Sequence, residues 1–167
     1  MAYRNKTYVA FDADSDIRYF HLMQVWKQND NSSFNFYNAH DSNNIWDQSM
    51  EQTIKRRLRE RFNDTKIFVL LVGEKTKFLY RFVRWEIETA LNMGLPIIVL
   101  NLNGKRSMDL DKCPPLLTDK LALHISFNSK IIQKALEDWK DIHERYVKEG
   151  KTGAYYFKDN VYQKLGL

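Results

Sequence analysis

The stretch KIFVLLVG, Lys66–Gly73, constrains the fold more than any other part of this chain. It is a continuous apolar run bounded by a lysine and a glycine. A strand without polar alternation is apolar on both faces, so both faces must be covered. That is the pattern of a central strand in a parallel sheet. Parallel neighbours require crossover connections, usually helices.

The rest of the chain supplies them. TYVAFD (Thr7–Asp12) reads as a first buried strand. The helix that follows carries Ile17, Phe20, Met23 or Gln24, and Trp26 or Lys27 on a mostly apolar face, with Ser15 as its candidate N-cap. FNFYN (Phe34–Asn38) is a second strand, and the polar AHDSNNIWDQ a loop. Ser49-Met50-Glu51-Gln52 fits a capping box opening a helix with Met50, Ile54, Leu58 and Phe62 at four-residue spacing. After the central strand come a helix over Arg81–Gly94, the strand LPIIVLNL, a long loop, and a fifth strand, Leu121–Phe127. A long amphipathic helix runs through Ile131, Ile132, Ala135, Leu136, Trp139, Ile142 and Tyr146. Alternating strands and helices predict an α/β flavodoxin-like three-layer sandwich around a central five-stranded parallel sheet. Residues 1–148 form the expected domain, and the aromatic-rich tail 149–167 is expected to pack on it.

Composition narrows the function classes. A chain of 167 residues with 44% apolar and 14% aromatic content suits one folded domain. No run approaches the roughly 18 apolar residues of a membrane span, and the N-terminus lacks an apolar signal core. The single cysteine, Cys113, excludes an internal disulfide and a cysteine-based zinc cluster. A cytoplasmic protein is the default expectation. The net charge of +5 permits an anionic ligand without identifying one.

In an open parallel sheet, ligands bind beyond the carboxyl ends of the strands. The residues that matter are therefore Asp12–Asp16, Asn38–Trp46, Gly73–Glu86 and Asn101–Arg106. No glycine-rich dinucleotide fingerprint, Walker A sequence or Gly-x-Ser-x-Gly elbow is present, and the four histidines lack metal-ligand spacing. Glu86 stands out. On a helical projection it lies about 60° from Val83, at the border of the stripe formed by Val83, Ile87, Ala90 and Leu91. A carboxylate in the opening turns gains from the helix dipole. A first-turn acid paired with Arg84 or an amide is the plainer reading.

Other candidates also have two readings. Asp12, Asp14 and Asp16 fit sugar hydroxyls or magnesium, or a turn and cap. Trp46 and Trp85 fit base stacking, or core and rim packing. Lys55–Arg61, KRRLRER, reads as a nucleic-acid patch or as the solvated side of an amphipathic helix; its alternation with Leu58 and Glu60 favours the latter.

TYVAFDADSD, NDTKIFVLLVGEKT and VRWEIETALNMGLPIIVLNLNG resemble the TIR-like family typified by the TIR proteins of the Thoeris antiphage system. The likeness spans roughly Thr7 to Asn128. It rests on Phe11-Asp12 ending the first strand, a threonine after the central strand, and Trp-Glu-Ile before Gly-x-Pro-Ile. KFLYRFVRWE stands where many relatives carry a serine-rich stretch. The resemblance implies cleavage of the nicotinamide–ribose bond of NAD, with Glu86 as the catalytic glutamate. The implied product is an ADP-ribose-derived nucleotide, a cyclic isomer or a conjugate, that activates a separate effector. Phe11, Asp12, Asp14, Trp46, Arg84 and Trp85 become the expected substrate contacts, with Glu86 at the mouth and Trp85 turned into the fold. NAD is then substrate, and neither a metal nor a prosthetic group is expected. Homo-oligomers with composite sites fit the resemblance; membrane and nucleic-acid partners do not. A catalytically silent TIR-like module that signals by assembly is the alternative.

Overall fold

The computed structural model describes residues 6–28, 36–38, 51–79 and 82–167. Among them the strands are β1 (Thr7–Ala10), β2 (Phe36–Asn38), β3 (Ile67–Val72), β4 (Ile97–Asn101), β5 (Ala122–Ser126) and β6 (Ala154–Tyr155). The helices are α1 (Ile17–Gln28), α2 (Glu51–Phe62), α3 (Phe82–Asn92), α4 (Ser129–Lys148) and α5 (Asp159–Lys164). The order is β2-β1-β3-β4-β5-β6, and every pair is parallel. The five expected strands are all present, and β6 extends the sheet by one short strand on the β5 edge. The order reverses at β1, whose neighbours are β2 and β3, so the switch-point crevice opens above the ends of β1 and β3.

The central run behaves as its composition requires. All six residues of β3 are buried, with Val69 and Leu71 facing one layer and Phe68, Leu70 and Val72 the other. Successive side chains of a strand alternate between faces, and this divides the interior in two. On one face α1, α4 and α5 cover Val9, Phe11, Val69, Leu100 and Ile125 with Phe20, Met23, Ile132, Leu136, Trp139 and Tyr162. On the other, α2 and α3 cover Tyr8, Phe68, Leu70, Ile97 and Val99 with Ile54, Leu58, Phe62, Val83 and Ile87.

Helix ends follow local chemistry. Gly94, at φ 66°, takes the left-handed conformation that ends α3, and Leu95 N donates back to Ala90 O at 3.0 Å. Asn128 caps α4 by accepting from Lys130 N at 2.9 Å. The start of α1 falls one residue later than a Ser15 cap requires, so Asp16 immediately precedes the helix and Ser15 is exposed. The expected capping box begins at Ser49 and Met50, outside the described residues. In the tail, Tyr162 is fully buried and its hydroxyl accepts from Ser126 N at 3.4 Å. Lys130 Nζ donates to Leu165 O at 3.1 Å.

Candidate functional site

Glu86 lies in the opening turns of α3 and is completely buried. The expectation of a carboxylate at the mouth of a pocket is therefore corrected. The 60° offset from Val83 turns Glu86 under the helix, towards β1, because α2 closes that flank. The Tyr8 hydroxyl of β1 faces it. The Tyr8 ring is fixed by stacking on Phe62, with centroids 4.1 Å apart and planes 18° apart, and on Phe68 at 5.8 Å. Among the described residues, neither Glu86 oxygen nor Tyr8 Oη has a partner in hydrogen-bond geometry. Burial pushes the Glu86 carboxyl up to about 8, and the Tyr8 hydroxyl pulls it partly back. Tyr8 itself is held well above the usual phenol range by burial and by Glu86. At neutral pH the resting carboxyl is thus mostly protonated.

Trp85 packs on the edge of the α2–α3 core layer without entering it. It is half-buried on the outer flank of α3, edge-on to Phe62 at 6.1 Å, with Lys55 Nζ and Arg59 Cζ over its ring at 5.8 and 5.6 Å. Successive residues of a helix are 100° apart, so burying Glu86 necessarily swings Trp85 outward onto α2. Arg84 is exposed and pairs with Glu88 at 3.0 Å. On the outer side of α2, Arg56, Arg57 and Arg59 are exposed, and Lys55 pairs with Glu51 at 2.8 Å.

The residues after β1 serve different ends. Phe11 is 1% exposed and stacks on Phe20 at 5.0 Å, in the core layer of α1; it presents no open face to a ligand ring. Asp12 is buried and accepts from Asp14 N at 3.1 Å, an Asx-turn, while Asp14 is exposed. Trp46 lies outside the described residues. Of the expected contacts, then, none that is described shares a cleft with the Glu86 carboxyl. The structure instead brings forward Tyr8, which pattern alone had treated only as part of an apolar strand. Its signal was available: a phenol in the middle of TYVAF needs a polar neighbour when buried.

The threonine after the central strand has a structural task. Thr76 is 1% exposed; its Oγ1 accepts from Gly73 N at 2.9 Å and donates to Leu71 O at 3.4 Å, closing the turn that leads into α3. Along α3, an apolar cleft of about 330 Å³ that Glu86 does not line is formed by Leu79, Val83, Ile87, Pro114 and Leu116, with Lys77 and Arg84 beside them. Among the described residues no group of three or more His, Cys, Asp or Glu side chains could hold a metal ion. No described helix is long and apolar enough to cross a membrane.

A doubly wound all-parallel sheet with this strand order, and with an acidic residue buried at the start of the helix after the central strand, defines an α/β flavodoxin-like domain of TIR-like type. The family described as Thoeris protein ThsB, TIR-like domain, matches residues 8–107, more than half of the chain. The chain belongs to that family, and so to the TIR-like proteins of Thoeris antiphage defence. The matched segment contains β1 from Tyr8 onward, the central strand and Glu86.

Proposed function

We propose that this protein cleaves the bond between nicotinamide and ribose in NAD, with Glu86 as the catalytic carboxylate. The observation that supports this reading is a completely buried carboxyl in the family-matched segment, at the start of α3, that faces the Tyr8 hydroxyl and has no partner in hydrogen-bond geometry among the described residues. A buried ionisable group without a partner is costly, and such groups concentrate where chemistry needs them.

The chemistry fits a carboxylate. Breaking the bond sends the electron pair to the cationic nicotinamide nitrogen, which leaves neutral. The ribose carbon is left oxocarbenium-like, as in glycoside hydrolysis. No strong general acid is required. A carboxylate beside that ribose binds its hydroxyls and stabilises the developing charge. Glu86 is mostly neutral at rest, and the positively charged nicotinamide ring, held beside it, favours its ionised form, so arrival of that end of NAD switches the group on. Water or a second nucleophile then captures the ribose carbon, and capture by a group of the same molecule gives a cyclic nucleotide. That nucleotide signals to a separate effector protein. The reaction as drawn involves neither metal nor prosthetic group.

A second reading, a silent TIR-like module that signals by assembly, is favoured by the fact that Glu86 lines neither the apolar cleft along α3 nor the polar cleft above β1, β3 and β4. Incubating the full chain with NAD, alone and with extract of phage-infected cells, and identifying released nucleotides by mass spectrometry separates the two. Nicotinamide release that disappears in Glu86→Gln supports catalysis. No release under either condition leaves the silent module.

A further inference from the structure

A polar cleft of about 240 Å³ opens above the carboxyl ends of β1, β3 and β4, on the α1 side of the molecule. Asp16, Arg18 and Tyr19 form one wall, Gly73 and Glu74 the floor, and Asn103 and Lys112 the other wall. Glu86 does not line it. Asp16 is 6% exposed, and its Oδ2 is buried with no hydrogen-bond partner among the described residues. A carboxylate oxygen in that state lacks a donor, and leaving it so costs free energy.

The position of Asp16 is built, not incidental. Its carboxylate lies directly over Gly73: a Cβ added there would meet Asp16 Oδ2 at 2.4 Å and Oδ1 at 2.8 Å. Only glycine lets the carboxylate sit on the end of the central strand. The opposite wall is equally fixed. Asn101 Nδ2 donates to Lys105 O at 3.1 Å and Ser107 O at 2.8 Å. Asp109, 2% exposed, accepts from Asn103 Nδ2 at 2.7 Å and from the backbone N–H groups of Asp111 and Lys112 at 2.9 and 3.2 Å. These bonds set Asn103 and Lys112 against the cleft before any ligand arrives. Lys112 also pairs with Glu74 across the floor.

We propose that this cleft is a second small-ligand site, separate from the Glu86 chamber, and that it takes a phosphorylated pentose. The vicinal hydroxyls donate to Asp16, and the phosphate meets Lys112 and Arg18. The charges select this class. Two carboxylates and two cations line one small space, so a simple cation meets Arg18 and Lys112, and a simple anion meets Asp16 and Glu74. A ligand with hydroxyl donors at one end and an anion at the other satisfies both. The volume suits one sugar ring, below the roughly 300 Å³ of sites for larger ligands. Burial and the nearby Asp12 and Glu74 hold the Asp16 carboxyl above its usual range, with Arg18 opposing them. The proposal does not depend on NAD cleavage.

The test titrates the full chain with D-ribose 5-phosphate, 2-deoxyribose 5-phosphate and inorganic phosphate. Binding is read by calorimetry and by amide shifts at Gly73, Glu74 and Asn103. Ribose 5-phosphate is expected to saturate. Asp16→Ala, Asp16→Asn and Gly73→Ala, each checked for fold by circular dichroism, are expected to weaken it roughly tenfold or more, as loss of a charge-assisted bond should. Glu86→Gln is expected to bind normally. Equal affinity for the deoxy sugar or for phosphate alone would overturn the diol assignment. So would no saturation by about 10 mM, affinity unchanged in folded Asp16 and Gly73 variants, or binding lost only in Glu86→Gln.

Discussion

The two faces of the sheet are built to different rules. The face covered by α1, α4 and α5 is a largely dry core of Phe20, Ile132, Leu136 and Trp139; among the described residues its orphaned polar atoms are Trp139 Nε1 and, at the strand ends, Asp16 Oδ2. The face covered by α2 and α3 carries Tyr8 and Glu86 with no partners in hydrogen-bond geometry. Strand alternation also places His124 there, next to Val99, with both ring nitrogens unpartnered. Each such group costs stability. Asn101 Oδ1, alternating with Ile97 and Val99, joins them, so among the described residues four such side chains lie on the Glu86 face against Trp139 and Asp16 on the other, and the polar strain is concentrated on the face that holds Glu86. Local rules are broken where function requires it and satisfied elsewhere.

The sharpest way to break this comparison is Glu86→Gln. On the proposed mechanism nicotinamide release falls roughly 10²–10³-fold. The same substitution should stabilise the protein. The folded carboxyl is raised from 4.5 to about 8, so the folded state holds the proton more tightly than the unfolded state. Stability from this group is full below pH 4.5 and is lost as pH rises towards 8. At roughly 1.4 kcal/mol per pH unit, the cost at pH 7 is about 3 kcal/mol. Denaturant melts at pH 7 should show a gain of that order in the Gln variant, shrinking towards zero near pH 4.5. An active variant, or one whose gain over the parent protein is no larger at pH 7 than at pH 4.5, removes the functional reading of this face.

On the dry face, Leu136→Ala should cost about 2–5 kcal/mol by losing burial and leaving a cavity. Turnover per folded molecule should be unchanged. A fall in specific activity at full folding would show that the two faces are coupled, and the comparison would lose its meaning.

His124→Leu sharpens the same contrast at acid pH. Burial pushes the imidazole down to about 4 from its ordinary 6.5. The unfolded chain therefore binds the proton more readily, and stability is lost as pH falls from 6.5 towards 4. Between 4.5 and 6.5 this slope opposes that of Glu86. The leucine variant should lose the acid-side fall while keeping the alkaline one. Unchanged acid sensitivity by thermal melts across pH 4–7 would mean that His124 is not the group responsible.

The smallest expected effect is that of Tyr8→Phe. The ring stack on Phe62 is kept and only the hydroxyl facing Glu86 is removed, so stability should change by less than about 1 kcal/mol. Because the hydroxyl holds the Glu86 carboxyl down, its loss should raise the pH at which Glu86 titrates. Carbon-13 NMR of the glutamate carboxyl reads this directly. No upward movement would remove Tyr8 as a tuning partner.

The sheet and its layers were legible because their signals are local. The run Ile67–Val72 has no polar residue to turn outward, and Gly94 followed by Pro96 ends a helix wherever it stands. The stripe Val83, Ile87, Ala90 identified the inner face of α3 for the same reason. Its border was the weak point. A 60° offset can mean a rim or an interior, and the packing of α2 against α3 chose the interior for Glu86 and the outside for Trp85. The two-residue strand β6 has too little pattern to announce itself and depends on the exposed edge of β5 for its bonds.

The sequence by itself determined an α/β chain with a central parallel strand, a helix carrying Glu86 after it, and acids after β1. Those follow from hydrophobic period and turn chemistry, which act over a few residues. Only the tertiary structure decided that Glu86 meets Tyr8, that Phe11 belongs to the core, and that Asp16 rests on Gly73. Each depends on residues far apart in the chain, brought together by crossover connections. Burial then set the protonation of Glu86 and His124, because removing water is a property of the assembled layers and not of any one segment.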